Sequence, residues 1–178
     1  MTVRICPRTP FVINYLCLRM STVEAKKEHM LEAIRQAKQA QKDGDYAVGA
    51  VVTKGGKIIA SCGNRSKRDE SPIAHAEVLA IVEACQLFKS RHLADCILYA
   101  THEPCPMCSS VAVWAQLKGI VYGARIEDMK NYRQSNGNDK WLWRTIEIPC
   151  EEVIAKSIEK IEIIKDFMRD ECISLFHN

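Results

Sequence analysis

The residue types best suited to chemistry fall in two short motifs of this 178-residue chain. The first motif is His75-Ala76-Glu77, and the second is Pro104-Cys105-Pro106-Met107-Cys108. Together they offer one imidazole and two thiolates to a metal ion. Structural zinc sites are closed by four protein ligands, whereas catalytic zinc sites have three and leave a position for water. The sequence therefore predicts a catalytic zinc site with His75, Cys105 and Cys108 as its ligands.

Glu77 is a carboxylate beside this predicted site that is not needed as a ligand. A zinc ion with an open position lowers the pKa of a water there to about 7, so that hydroxide is available at neutral pH. Protons must then move between this water and the substrate. Because Glu77 follows His75 by two residues, it is placed to move them, and we predict that it is the catalytic general acid and base.

Two predicted helices position the motifs. Residues 74–89 are predicted to form a helix that holds the first motif in its first turn. A second helix is predicted to begin near Pro106, after a strand over residues 96–100, because proline is preorganised for the first helical position. Cys105 and Cys108 are three residues apart, so they lie on one helix face. Both halves of the site then lie at helix N-termini, whose free amides and positive dipole favour thiolate over thiol.

The pattern His-x-Glu followed by Pro-Cys-x-x-Cys is the signature of zinc deaminases that act on nucleobases. On this pattern and on further segments, the sequence resembles the cytidine deaminase-like superfamily, in the branch that contains bacterial guanine deaminases, cytosine deaminases and tRNA adenosine deaminases. The resemblance covers roughly residues 24–124 and weakens beyond them. The supporting segments are residues 47–52, 63–65, 71–77, 98–101 and 121–124.

The resemblance implies a Zn²⁺ cofactor, hydrolytic removal of an exocyclic amino group, and a three-layer α/β/α fold with a mixed five-stranded sheet. The order of predicted elements also implies a sheet covered on both faces. A redox pair or a purely structural zinc site is the alternative for a Cys-x-x-Cys motif alone. The helix that begins near Pro106 is predicted to continue over residues 111–117, with Trp114 in the core. The other predicted elements are a helix from a capping box at residues 21–24 to residue 43, strands over 47–53, 57–62, 119–123 and 158–164, and a closing helix over 166–176.

The predicted substrate contacts are Asn64, Val48 and Ala76. Asn64 matches the position at which the family places an asparagine against the base or sugar, and an amide can both donate and accept. Its alternative role is a turn residue after the second strand. Val48 and its neighbours resemble the apolar wall on which the base packs, but the same residues begin a core strand.

Other polar and aromatic residues have less specific signals. His102 is interpreted as either a pocket wall or a loop residue, whereas His29 is expected to be exposed. Residues 125–132 predict a helical turn, with Arg125 and Tyr122 as possible pocket neighbours, and residues 135–139 predict a loop. Trp141 and Trp143 suit a base pocket, an oligomer interface or the core.

The length predicts one domain over residues 21–178, preceded by a leader or peripheral segment over residues 1–20. This segment contains an apolar run over residues 11–18 that is too short to span a membrane, and no membrane partner is expected. No convincing export signal is present. The nine cysteines do not suggest a disulfide framework. Free cysteines favour a reducing interior, so a cytoplasmic location is predicted.

The charge distribution bears on the substrate. Three arginines before Met20 account for the formal charge of +3, and residues 151–178 carry a net charge of −3. A protein that grips tRNA needs a cationic surface. We therefore predict a small-molecule nucleobase or nucleoside substrate, guanine first, in purine salvage. The alternatives are a tRNA adenosine deaminase, a cytosine or cytidine deaminase, and a catalytically idle zinc-binding partner subunit, against which Glu77 argues. The resemblance also implies a homodimer or larger homo-oligomer.

Overall fold

The computed structural model describes residues 22–136 and 146–177. Residues 1–20, Trp141 and Trp143 lie outside the described residues. No helix in the described ranges has both the length and the apolar character that a membrane span requires. In chain order the elements are α1 Lys27–Lys42, β1 Gly49–Lys54, β2 Lys57–Gly63, α2 Ala76–Phe88, β3 Cys96–His102, α3 Pro106–Trp114, β4 Gly119–Ala124, α4 Ile126–Asn136, α5 Cys150–Ala155, β5 Glu162–Ile164, α6 Arg169–Ile173 and a 3-10 helix Ser174–His177.

The five strands form one mixed sheet in the order β2-β1-β3-β4-β5. Strand β1 pairs antiparallel with β2 and with β3, whereas β3, β4 and β5 run parallel. The predicted mixed five-stranded sheet is therefore confirmed. Because α3 connects two neighbouring parallel strands, β3 and β4, its N-terminus lies at the carboxyl end of β3.

Side chains that alternate along the strands build a core on each face of the sheet. In β1, Ala50 and Val52 belong to the core that includes α2 and α3, whereas Val51 belongs to the core that includes α1 and α6. The three-layer α/β/α prediction is therefore confirmed. Helix α1 approaches β1 very closely, because a Cβ atom on Gly49 would lie 2.0 Å from the carbonyl oxygen of Ala33.

The entry into α1 differs from its prediction. The helix begins at Lys27, and its N-cap, Lys26, makes no side-chain capping bond, so the predicted capping box at residues 21–24 is wrong. Tertiary hydrogen bonds hold this segment instead. The Val23 N–H donates to the Glu162 carboxylate, and the Lys26 N–H donates to the Tyr99 hydroxyl.

The environments predicted for His29 and Trp114 are both wrong, since His29 was expected to be exposed and Trp114 to be in the core. His29 is buried, with its ring 4.9 Å from that of Tyr99 and its Nε2 3.2 Å from the Gly56 carbonyl oxygen. Trp114, the last residue of α3, is 80% exposed and belongs to neither core. Periodicity identifies the face of a helix but does not show whether another layer covers it.

The elements of the last third of the chain differ in length and number from those predicted. Helix α4 continues to Asn136, past the predicted start of a loop, and α5 was not predicted. The late strand is only β5, and Ile158, at the predicted start of that strand, is 99% exposed. The closing helix is limited to α6 and the following 3-10 helix, because Asp166 and Met168 adopt positive φ angles of 61° and 56°.

His102 makes the folded state sensitive to acid. It is the last residue of β3, is buried against Phe176, and has its Nδ1 2.8 Å from the Thr101 hydroxyl. Burial lowers the pKa of His102 from 6.5 to about 3. The unfolded chain therefore binds a proton between these values that the folded chain does not, and stability that is complete above pH 6.5 is lost as the pH falls toward 3.

A His102→Asn variant is therefore expected to lose stability less steeply in acid than the wild type. The free energy of unfolding should be measured by urea titration at half-unit steps from pH 7 to 4. The difference between the two slopes should approach, at most, about 1.4 kcal/mol per pH unit. His92→Asn, at an exposed histidine, is the matched control. Equal slopes for His102→Asn and the wild type would contradict this assignment.

Candidate metal centre

Two helix N-termini hold the chemistry-bearing residues. His75 is the N-cap of α2, and Cys105 is the N-cap of α3, with Pro106 as the first helical residue. Cys108 lies one turn into α3 and is buried. Both caps have extended backbone, so each side chain lies beside the helix end and its free amides. The predicted start of α3 near Pro106 is confirmed, whereas α2 begins at Ala76, two residues after its predicted start.

The donor atoms of His75, Cys105 and Cys108 all lie within 4.8 Å of one another. The His75 Nδ1 is 3.7 Å from the Cys105 sulfur and 3.4 Å from the Cys108 sulfur, and the sulfurs are 3.6 Å apart. Tetrahedral zinc, with Zn–S near 2.3 Å and Zn–N near 2.0 Å, separates such donors by about 3.5 to 3.8 Å. The three residues therefore fit a zinc ion and are positioned to bind it.

The two sulfurs of this group behave as a coupled pair. Their mutual contact, aided by His75, lowers the pKa of Cys105 to about 4 despite its burial. The same contact with Cys105, together with burial, raises the pKa of Cys108 well above its ordinary value. Zinc binds thiolates, so metal binding is expected to release the proton that the pair retains.

Glu77 is the buried carboxyl group of the site. It lies in the first turn of α2 with only 3% of its surface exposed, and its Oε2 is buried without a hydrogen-bond partner among the described residues. Burial raises its pKa to about 7; the charge of Cys105 acts in the same direction, and that of His75 opposes it. A buried carboxyl oxygen without a partner is costly, so its presence beside metal ligands indicates a functional role.

The predicted substrate contacts lie on two segments. The Asn64 N–H donates to the Val48 carbonyl at 2.8 Å, so the end of β2 meets the residue before β1. Asn64, Val48 and Ala76 are all buried. Ala76 is the first residue of α2, between His75 and Glu77. The structure brings Val48 and Asn64 together and keeps Ala76 with the metal ligands.

Residues left open by the sequence lie elsewhere. The guanidinium of Arg125 is paired with the Asp166 carboxylate, and Tyr122 is buried in the sheet. Both line a small charged pocket near α4 and α5, which contains none of the candidate metal ligands. Of the two roles predicted for His102, that of a loop residue is wrong, because His102 belongs to β3.

Two buried carboxylates near the site were not singled out from the sequence. Asp45 accepts hydrogen bonds from the Asn64 side chain and from three backbone amides. Glu103, two residues before Cys105, accepts hydrogen bonds from the Ile126 and Cys150 N–H groups at 3.0 and 2.9 Å. It therefore connects the starts of α4 and α5 to the segment before Cys105. The only local feature that could have pointed to Glu103 is its position beside Pro104. For Asp45, no local feature distinguishes it from the neighbouring Asp43.

The fold and this site define the class of α/β domains that hold zinc with one histidine and two cysteines. Within that class, the chain belongs to the family described as the cytidine and deoxycytidylate deaminase zinc-binding region, whose sequence model matches residues 23–124, more than half of the chain. The predicted superfamily is therefore confirmed, and zinc is its cofactor.

The sequence relatives include two kinds of deaminase. The chain is 42% identical over 96 residues to a tRNA-specific adenosine deaminase of Bacillus subtilis, which covers 54% of this chain and 60% of that protein. It is 40% identical over 104 residues to a guanine deaminase of the same organism, and that match covers 58% of this chain and 65% of the relative. The chain thus spans less than two thirds of the length of each relative.

A solved structure extends the likeness in fold. The chain superimposes on guanine deaminase from Nitrosomonas europaea with a TM-score of 0.71 over 88% of this chain and 85% of that one. The two sequences are 22% identical, so this match supports the fold alone.

Proposed function

We propose that this protein is a zinc-dependent hydrolytic deaminase that acts on the exocyclic amino group of a nucleobase or nucleoside. The observation that carries the proposal is the buried Glu77 carboxyl, whose Oε2 lacks a partner among the described residues, in the turn after His75. A purely structural zinc site or an idle subunit has no use for such a carboxyl group. A redox pair would not need His75 at hydrogen-bonding distance from the cysteine sulfurs.

Each residue has a distinct part in the proposed reaction. His75, Cys105 and Cys108 hold the zinc, which when bound acts as a Lewis acid that makes water a nucleophile at neutral pH. Glu77 takes a proton from the attacking water and delivers it to the ring nitrogen beside the amino-bearing carbon. A second proton goes to the departing amino group, which leaves as ammonia. Asn64, Val48 and Ala76 are proposed to contact the substrate.

Among substrates we favour a guanine-type purine as a free base or nucleoside. The C-terminal residues 151–178 are acidic overall. Most arginines of the described residues form ion pairs with carboxylates. A tRNA stem requires free cations along its phosphates. The paired arginines are Arg35, Arg65, Arg68, Arg125 and Arg169.

A tRNA adenosine deaminase is the second candidate. It is favoured by the identity shared with the tRNA-specific adenosine deaminase of Bacillus subtilis, which is close to that shared with the guanine deaminase. A cytosine or cytidine substrate ranks third. A cytoplasmic location stays a prediction, consistent with the free cysteines of the described residues.

The substrate proposal is tested by ammonia release from zinc-loaded protein with guanine, guanosine, adenine, adenosine, cytosine and cytidine. Inosine formation in an anticodon stem-loop RNA should be measured in parallel, with Glu77→Ala as the negative control. We expect turnover of guanine or guanosine. Inosine in the RNA without turnover of any free base or nucleoside would establish the second candidate instead. A wild type that leaves every substrate unchanged would refute deaminase function.

We also propose a homodimer, supported by an exposed apolar groove. Trp114 and Ile158 line it together with Val82, which is 44% exposed. A Trp114→Glu variant is expected to shift the protein from dimer to monomer, because a charge in an apolar interface is costly. Light scattering coupled to size exclusion measures the mass. Leu31→Glu on α1, where Leu31 is 53% exposed, is the matched control. A monomeric wild type at micromolar concentration would refute the homodimer.

A further inference from the structure

Asp45 is a buried carboxylate that organises the loop after β2. Its Oδ1 accepts from the Tyr46 N–H at 2.8 Å and from the Asn64 side-chain amide at 2.6 Å. Its Oδ2 accepts from the Lys67 and Arg68 N–H groups, each at 3.0 Å. Burial alone would raise the pKa of Asp45, but these hydrogen bonds hold it below its ordinary value. The carboxylate is therefore charged and acts as an acceptor only.

This arrangement fixes the orientation of the Asn64 amide. The Nδ2 nitrogen has two hydrogens, and it lies 2.6 Å from Asp45 Oδ1 and 2.7 Å from the Ser66 hydroxyl oxygen. Because a carboxylate cannot donate, the side-chain nitrogen and not the carbonyl oxygen must face Asp45. Both amide hydrogens are then used within the protein. The Oδ1 atom of Asn64 is the polar atom that remains for a ligand.

The Asn64 loop is attached directly to the metal centre. The Arg65 N–H donates to the carbonyl of Ala74, the residue before His75, at 3.0 Å. The pKa of His75 is raised chiefly by its contact with Cys105, and the charge of Asp45 contributes in the same direction. Asp45 and Asn64 therefore lie within electrostatic reach of the metal ligands.

We propose that Asp45 is a positioning residue that makes Asn64 an obligatory hydrogen-bond acceptor, so that the bound substrate must present an N–H or O–H group to it. This inference rests on the proposed function, because it assigns Asn64 to the substrate site. Asp45 itself touches no substrate. It acts by preventing the amide from rotating to present its donor.

The acceptor restricts which substrates fit. The guanine ring carries N–H donors on both its six-membered ring and, as a free base, its imidazole ring. No ring nitrogen of adenosine carries a hydrogen, so adenosine can satisfy Asn64 only through its amino group or ribose hydroxyls. An unpaired buried acceptor costs free energy, so a substrate without a donor at this position is rejected. Asp45 thus favours guanine and guanosine, whose six-membered ring carries an N–H donor, over adenosine.

Steady-state kinetics test the positioning role. In Asp45→Asn, the new side chain has a donor as well as an acceptor, so the Asn64 amide can rotate. With the preferred substrate of the six free compounds, KM is expected to rise about 10- to 100-fold while kcat changes much less. In an Asn64→Ala background, Asp45→Asn should raise KM no further, because the residue through which it acts is gone. Asp69→Asn, in the same loop, is the matched control.

Nuclear magnetic resonance provides a readout that does not depend on turnover. Both side-chain amide protons of Asn64 should be protected from exchange in the wild type and exposed in Asp45→Asn. Exchange that is equally fast in both proteins would overturn the proposal, as would KM effects of the two substitutions that multiply. A wild type that is inactive on every substrate would instead refute the proposed function, before any variant is compared.

Discussion

Glu77→Gln is expected to lower kcat by about 100- to 10,000-fold while the protein still binds zinc at full stoichiometry. The amide has nearly the same shape as the carboxyl group but cannot accept and release a proton. Because Glu77 is buried and is not one of the three metal donors, the fold and the metal site should persist. Ammonia release measures kcat, and atomic absorption measures the zinc content of the same sample.

The matched control is Glu83→Gln, which changes the other acidic residue of α2 at an exposed position. It should retain wild-type kcat. The thermal unfolding midpoint of Glu77→Gln should equal or exceed that of the wild type, since burial opposes the charged form of Glu77. Activity of Glu77→Gln within about threefold of wild type would show that another group moves the protons.

Cys105→Ala is expected to abolish stoichiometric zinc binding, because two protein ligands remain of three. The loss of zinc binding should also lower the thermal stability of the protein. Zinc at 1,000 times its dissociation constant stabilises a folded protein by about 4 kcal/mol, which for a chain of this size raises the midpoint by roughly 8 to 16 °C. The wild type stripped with a chelator should regain this increment on adding zinc, and Cys105→Ala should not.

Cys85→Ala provides the control for losing a half-buried thiol that is not part of the metal group. It should bind zinc and show the full thermal response. Calorimetric melts with and without zinc compare the three proteins. A zinc response of Cys105→Ala equal to that of wild type would remove Cys105 from the metal site.

The metal centre could be predicted because its residues are set by short-range rules. Helix N-termini at His75 and Cys105 follow from local capping and from Pro106, and the spacing of the two cysteines places them on one face. The order of the predicted elements implied a sheet covered on both faces. The mixed five-stranded sheet was predicted from the resemblance to the deaminase superfamily, and the order of its strands was not predicted.

The wrong predictions concern features that depend on contacts between residues far apart in the sequence. The start of α1 depends on hydrogen bonds from residues near Val23 to Glu162 and Tyr99, which are far away in sequence. Trp114 is apolar and lies in a regular helix, but no part of the described chain covers it. The sequence shows which residues are apolar and not which layer meets them.

The sequence by itself predicted the candidate metal ligands and the neighbouring carboxyl group from residue type and local spacing. It predicted the class of fold from the order of its elements and from its family resemblance. Only the tertiary structure decided which polar side chains are buried and which groups they contact. It buried Glu77 without a partner for its Oε2 among the described residues, and it placed Asp45 against Asn64 across 19 residues of chain. Burial and hydrogen bonding depend on the packing of β1, β2 and α2, so no local pattern could supply them.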